Sequence, residues 1–408
     1  MRIAFLSVSG GMGGSEASLV ELVRGVRRLS PGAKPVVVVP VEGALAVRIR
    51  DLGADVRVLP MPDALAKFGE SSLRGMSSTI ARRGAALVGA AAAIATYQRA
   101  LASLLSDLTP DVIHTNGFKM HVFGTRAAPA GVPIVWHIHE YVSRRPLTRR
   151  LLRYHLSRAS AIVANSRSVA ADVSSALGAG APVTSIYNAV NLDEFSPAGP
   201  VADLDAHAQL PPAAPGTIRV GLVATFSRWK GHETFLRAIA SMGSAPIRAF
   251  IVGGAMYDTA GSQYTLAELR SMTAAMGLGG RVGFTGFIER PADVMRALDV
   301  VVHASTEPEP FGLVIAEGLA CARAVVVSAA GGAAELVEDD VDALTVPPGD
   351  AAALARALTR CAHDAALRAR LGTAGRRTAL RRFDPDVFAR EFLEVYERVS
   401  HRAPTVMS

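Results

Sequence analysis

Cysteine is nearly absent: Cys321 and Cys361 are the only two in 408 residues, and neither stands in a Cys-x-x-Cys or other metal-ligand spacing. A disulfide-stapled secreted domain and a zinc module are thereby excluded, and a reducing compartment is expected. Lysine is scarce as well, occurring only at 34, 67, 119 and 230, so the formal charge of +7 is carried almost wholly by arginine. With Ala and Gly also abundant, that charge reads as compositional bias, and no nucleic-acid partner is expected from it. Long apolar runs are missing too. The longest, residues 85–95, has about 11 residues where a bilayer span needs about 20, so no transmembrane helix is expected. Residues 1–9 lack a full signal-peptide core and run into a glycine loop as a first strand would. The expected location is cytoplasmic, with a peripheral position on the inner membrane face left open.

Half of the residues are apolar, and 408 residues exceed what one compact core supports, so two domains of roughly 190 residues each are expected. Short apolar runs at 3–8, 35–41, 112–114, 134–137 and 161–164 alternate with helical stretches. After a Pro- and Ala-rich passage at 196–216, the alternation resumes at 218–224, 247–252, 282–284, 300–303 and 324–327. Strand–helix alternation of this kind gives parallel sheets covered on both faces. The fold class expected is therefore α/β, with two Rossmann-like domains and ligands at the carboxyl ends of the strands.

The most informative stretch is Glu309-Pro310-Phe311-Gly312-Leu313-Val314-Ile315-Ala316-Glu317. It follows a strand-like run, contains a Gly turn and opens a helix, which presents the amides of Gly312 to Val314 where partial positive charge favours a phosphate. Glu317, two turns beyond Glu309, is placed to reach ribose hydroxyls of the same ligand. This pattern of Glu, seven residues and Glu resembles the donor site of GT-B-type retaining glycosyltransferases of family 4. The resemblance implies two sheets facing a central cleft. Its domains would be an acceptor-binding one at 1–192, completed by a terminal helix from 385–408, and a donor-binding one at 193–384. It also implies roles: Glu309 beside the donor sugar, Phe311, Gly312, Leu313 and Val314 presenting amides near sugar and diphosphate, and Glu317 on the ribose.

Further segments match in the same order. Gly13-Gly14 leads into the first helix as the family's Gly-Gly pair does, while Glu16 stands where a dinucleotide fingerprint requires Gly or Ala. His139-Glu140 matches a histidine followed by an acid near the donor sugar, with His137 as the competitor two residues away on the same side of the strand. Lys230-Gly231 matches the family's Lys-Gly, whose lysine neutralises the diphosphate, but the family's arginine falls on Thr225. Arg228 either supplies that missing cation or is solvated. Gly253-Gly254 resembles a loop beneath nucleobase and sugar, and Gly331-Gly332-x-x-Glu335 a segment closing the pocket opposite Glu309. Residues 187–191 and 195–197 track the family's hinge.

Asp203-x-Asp205, Asp340-x-Asp342 and Asp384-x-Asp386 do not end apolar strands, so the resemblance implies metal-independent transfer with no cofactor beyond the UDP- or GDP-sugar donor. Arg144, Arg145, Arg149, Arg150, Arg153 and Arg158 are interspersed with Leu147, Leu151, Leu152, Tyr154 and Leu156. On a helix they form either a dock for an anionic membrane surface or acidic acceptor, or a solvated basic face. Lys67, Arg74, Arg82, Arg83 and Arg99 surround the apolar run in a region that family members place at the acceptor mouth. The expected function is hexosyl-type transfer, with retained configuration, to a hydroxyl of a glycan, lipid-linked or small-molecule acceptor. The alternatives are a nucleotide-sugar 2-epimerase and a non-catalytic sugar-nucleotide or glycan-binding protein.

Overall fold

A computed structural model of the protein describes residues 1–62, 65, 80–178, 180–256 and 261–402, with the side chains of 80–91 and 402 excepted. The chain divides into two compact units, Met1–Ala189 with Pro385–Ser408, and Val190–Asp384. The first unit runs β1 (Arg2–Ser7), α1 (Gly14–Leu29), β2 (Lys34–Val39), α2 (Ala44–Asp51), β3 (Asp55–Val58), α3 (Ile80–Leu108), β4 (Val112–Asn116), α4 (Phe118–Ala127), β5 (Ile134–Ile138), α5 (Pro146–His155), β6 (Ala161–Ala164), α6 (Arg167–Leu177) and β7 (Val183–Ser185). Its strands pair in parallel in the order β3-β2-β1-β4-β5-β6-β7. Ile3, Phe5, Val37 and Val39 point to one core and Ala4, Leu6, Val36 and Val38 to the other. Both faces are dry, which is why these strands read as continuous apolar runs rather than alternating ones.

The second unit contains α7 (Leu204–His207), β8 (Ile218–Val223), α8 (His232–Ser241), β9 (Ile247–Val252), α9 (Leu266–Ala275), β10 (Val282–Gly286), α10 (Pro291–Ala297), β11 (Val300–His303), α11 (Leu313–Ala320), β12 (Ala324–Ser328), β13 (Leu344–Val346), α12 (Ala351–His363) and α13 (Ala365–Arg382). Its parallel sheet has the order β10-β9-β8-β11-β12-β13. Strand order reverses between β8 and β11, the place where doubly wound sheets open a crevice for ligands at the strand ends.

The chain re-enters the first unit at Pro385 as α14 (Pro385–Arg402). Phe388, Phe392 and Tyr396 are buried there, and Tyr396 Oη lies 2.7 Å from His114 Nδ1. At Gly25 an added Cβ would come within 2.4 Å of Ala389 Cβ, so the absence of a side chain lets α1 and α14 pack backbone to backbone. Among the described residues no helix is long and apolar enough to cross a membrane.

Candidate active site

Two loops at the reversal point of the second sheet are stitched together. The loop after β8 carries Trp229-Lys230-Gly231, and the Trp229 carbonyl accepts the Thr306 amide, 2.8 Å away, from the loop after β11. Gly231 makes this approach possible: its φ is 77°, and a Cβ there would stand 1.8 Å from the Ala304 carbonyl oxygen. Lys230 Nζ then reaches Glu309 Oε2 at 2.7 Å and lies 4.0 Å from the Trp229 ring centroid. The same carboxylate oxygen accepts from Ser305 Oγ at 2.9 Å and lies 3.2 Å from His303 Nε2. Burial by itself would raise the Glu309 carboxyl, but the Lys230 ammonium, with His303, overrides it and holds the group well below the usual carboxylate range.

Beyond Glu309, Phe311 is buried edge-on against Phe383 at 5.9 Å. Gly312 caps α11 with φ 95°, and among the described residues no side chain makes a capping hydrogen bond to the first turn of that helix, which begins at Leu313 and Val314. Glu317, one face further along α11, has its carboxyl pushed up to about 7 by burial and then by Glu194. The expected position of the Gly331–Glu335 segment needs correction. Instead of standing opposite Glu309 it is bonded to it, with the Gly332 amide donating to the Glu309 carbonyl at 2.7 Å and the Glu309 amide to Ala330 O at 3.2 Å. At Gly253, with φ 131°, an added Cβ would stand 2.1 Å from the Ala224 carbonyl oxygen, and at Gly254 one would stand 2.8 Å from the Phe287 ring. Arg228 is engaged away from Lys230: its guanidinium bonds Glu268 and Gly261 O, each at 3.0 Å, and covers the Tyr264 ring. Thr225 Oγ1 lies 3.3 Å from Ser227 Oγ.

Comparison with known proteins identifies the architecture. The family model for glycosyltransferase family 4 matches residues 12–194, and that for glycosyl transferases group 1 matches residues 210–378. The D-inositol 3-phosphate glycosyltransferase of Xylanimonas cellulosilytica is 32% identical over 316 residues, covering 72% of this chain and 73% of that protein. The chain belongs to the family 4 glycosyltransferases. The alpha-maltose-1-phosphate synthase of Mycobacterium tuberculosis is 26% identical over 412 residues, 95% of this chain and 96% of that one. The crystal structure of Anabaena Alr3699/HepE in complex with UDP-glucose shares the fold with a TM-score of 0.78 and 27% identity, covering 98% of this chain and all of that one. Two parallel-sheet Rossmann-like units are the GT-B architecture.

In the first unit of this glycosyltransferase, Gly13 precedes α1 and Gly14 opens it. A Cβ on Gly13 would stand 2.9 Å from Glu16 Oε2, so the glycine leaves room for that carboxyl, which takes a 2.9 Å hydrogen bond from Ser15 Oγ. Burial raises the Glu16 carboxyl. His139 follows β5, its ring centroid 3.9 Å from that of His137 on the same side of the strand. Burial pushes His139 down to about 3, so the ring is neutral. Of the Asp-x-Asp residues, Asp205 is tied to Arg219 and Arg248, Asp340 to Arg360 and Arg370, and Asp342 to Thr378. Lys67 and Arg74 lie outside the described residues, as do the side chains of Arg82 and Arg83; Arg99 Nε donates to Ala95 O. Sequence reasoning missed His303 and Ser305. The available signal was a lone histidine closing an otherwise all-valine buried strand.

Proposed function

We propose that the enzyme binds a nucleotide diphosphate-sugar, UDP- or GDP-linked, on its second unit. The sugar passes to a hydroxyl of a glycan, lipid-linked or small-molecule acceptor with retention of configuration. The observation that carries this reading is the Lys230–Glu309 pair at the strand-order reversal, beside the glycine-capped start of α11. Lys230 neutralises the leaving diphosphate, and Glu309 orients the sugar hydroxyls. The Phe311 to Val314 backbone faces the phosphates, Glu317 the ribose, and Gly253, Gly254 and the Glu335 segment shape the rest of the pocket. Lys230 and the helix amides supply the positive charge, with Arg228, bonded to Glu268 in the α9 cap, as the second candidate cation. On the first unit, Gly13 and Gly14 at the start of α1 keep their assignment to the donor, and His139 its assignment to the donor sugar. The UDP-glucose complex of Anabaena HepE supports a nucleotide-sugar donor.

Charge stabilisation at the leaving group is sufficient for front-face displacement, in which the departing phosphate takes the acceptor proton; no protein nucleophile or divalent ion is assigned a part. The first unit also carries a surface suited to an anionic membrane. On α5, Leu147, Leu151 and Tyr154 are 44%, 50% and 81% exposed along one stripe, and Arg144, Arg150, Arg153 and Arg158 border it. The decisive experiment is a donor and acceptor screen read by NMR, with EDTA present in one arm. Transfer with retained anomeric configuration, undiminished by EDTA, is expected. An inverted product, or donor epimerised without transfer, would overturn the reading.

A further inference from the structure

The donor-site reading turns the Lys230 charge toward a diphosphate. In this structure its ammonium is held by the Glu309 carboxylate at 2.7 Å, so that turn draws counter-charge from a carboxylate that is only 7% exposed. A buried carboxylate stripped of its counter-charge is strongly disfavoured unless other donors stay with it. Two do. Ser305 Oγ donates to Glu309 Oε2 at 2.9 Å, His303 Nε2 lies 3.2 Å from the same oxygen, and the two donors are 3.0 Å from each other.

Resting on the donor-site reading above, we propose that His303 and Ser305 are positioning residues that keep the Glu309 carboxylate in place while Lys230 is transferred to the leaving phosphates. Their placement divides the carboxylate's donors by mobility. Lys230 has 20% of its side chain exposed on a flexible stem, whereas His303 and Ser305 are 2% and 1% exposed on the end of β11. The Ser305 carbonyl is itself pinned by Ser328 Oγ at 2.6 Å. His303 Nδ1 is buried without a hydrogen-bond partner, which leaves Nε2, the nitrogen that faces Glu309, as the one that donates. One donor set is therefore free to leave and the other is built into the strand end.

The linkage is measurable without knowing the acceptor. If these two donors matter most when Lys230 has left, removing them penalises the nucleotide-bound state more than the free state. Ser305→Ala and His303→Phe should each weaken UDP or GDP binding, measured calorimetrically on the full chain, by about tenfold. His303→Gln, which keeps an N–H, should stay within about twofold. In a Glu309→Gln background no charge is stranded, so Ser305→Ala should there change the affinity by less than about twofold. Unchanged affinity in both single variants would overturn the proposal, and so would a loss that persists undiminished beside Glu309→Gln, because that would mark a packing effect. Failure of the wild-type chain to bind either nucleotide would instead bring down the donor-site reading, and this inference with it.

Discussion

Acid should unfold the first unit through its buried histidines. His114 on β4 and His137 on β5 pack beneath Phe392 of α14, His139 lies against His137, and His121 on α4 stacks on Trp136 at the other face of the sheet. Burial holds His114 and His139 at about 3, against 6.5 when unfolded, and holds His121 and His137 well below their usual range. A depressed histidine means that the unfolded chain binds more protons between these values, so stability falls as pH falls through 6.5. At pH 5 the cost is about 2 kcal/mol for each of His114 and His139, about 4 kcal/mol together, and the other two add in the same direction. Glu16 and Glu391, raised by burial, oppose this slope toward the acid end. Against a typical domain stability of about 5–15 kcal/mol the net effect is large. Trp136 is fully buried in this unit and stacks on His121 at 5.7 Å, and Trp229 is the only other tryptophan. Urea unfolding of a Trp229→Phe variant, followed by Trp136 fluorescence at pH 7 and pH 5, should show the loss directly. A midpoint that does not move between those values would refute the reasoning.

Glu317→Gln should stabilise the second unit at pH 8 by up to about 3 kcal/mol, because a carboxyl raised to about 7 costs stability as pH rises from about 4.5 through 7. Urea unfolding of both proteins at pH 5 and pH 8 checks this; an equal difference at the two values would contradict it. Gly231→Ala forces a side chain into the Ala304 carbonyl at positive φ and should cost about 2 kcal/mol or more, displacing Lys230. A thermal midpoint like that of the wild type would show that the loop does not need the close approach. Replacing Leu147, Leu151 and Tyr154 with Ser should abolish cosedimentation with anionic vesicles at low salt while leaving thermal stability near the wild type. Retained cosedimentation, or none by the wild type, would reduce α5 to a solvated basic helix.

Much of the architecture was legible because parallel strands buried on both faces leave unmistakable apolar runs, and each one from 3–8 to 324–327 is a strand within about two residues. The Lys230 and Glu309 loops stood out through their resemblance to family 4 segments, and both contain a glycine where the backbone turns sharply. What could not be read was how the side chains are shared. Arg228 has the right charge and near-right spacing, yet Glu268 in the capping box of α9 and the Tyr264 ring engage it, and neither is near it in sequence. Likewise the Gly331 loop pairs with the Glu309 backbone, a relation set by the neighbouring positions of β11 and β12 in the sheet. His303 and Ser305 were invisible because a buried polar residue declares its purpose only through its partner.

Nucleotide affinity of the Lys230→Ala variant tests the central claim most directly. The wild-type chain should bind UDP or GDP, and removing the Lys230 ammonium that pairs with Glu309 should weaken that binding by about 100-fold without loss of the fold, the worth of a charged hydrogen-bonding contact to a phosphate. A folded Lys230→Ala protein that binds the nucleotide as tightly as the wild type would contradict the account.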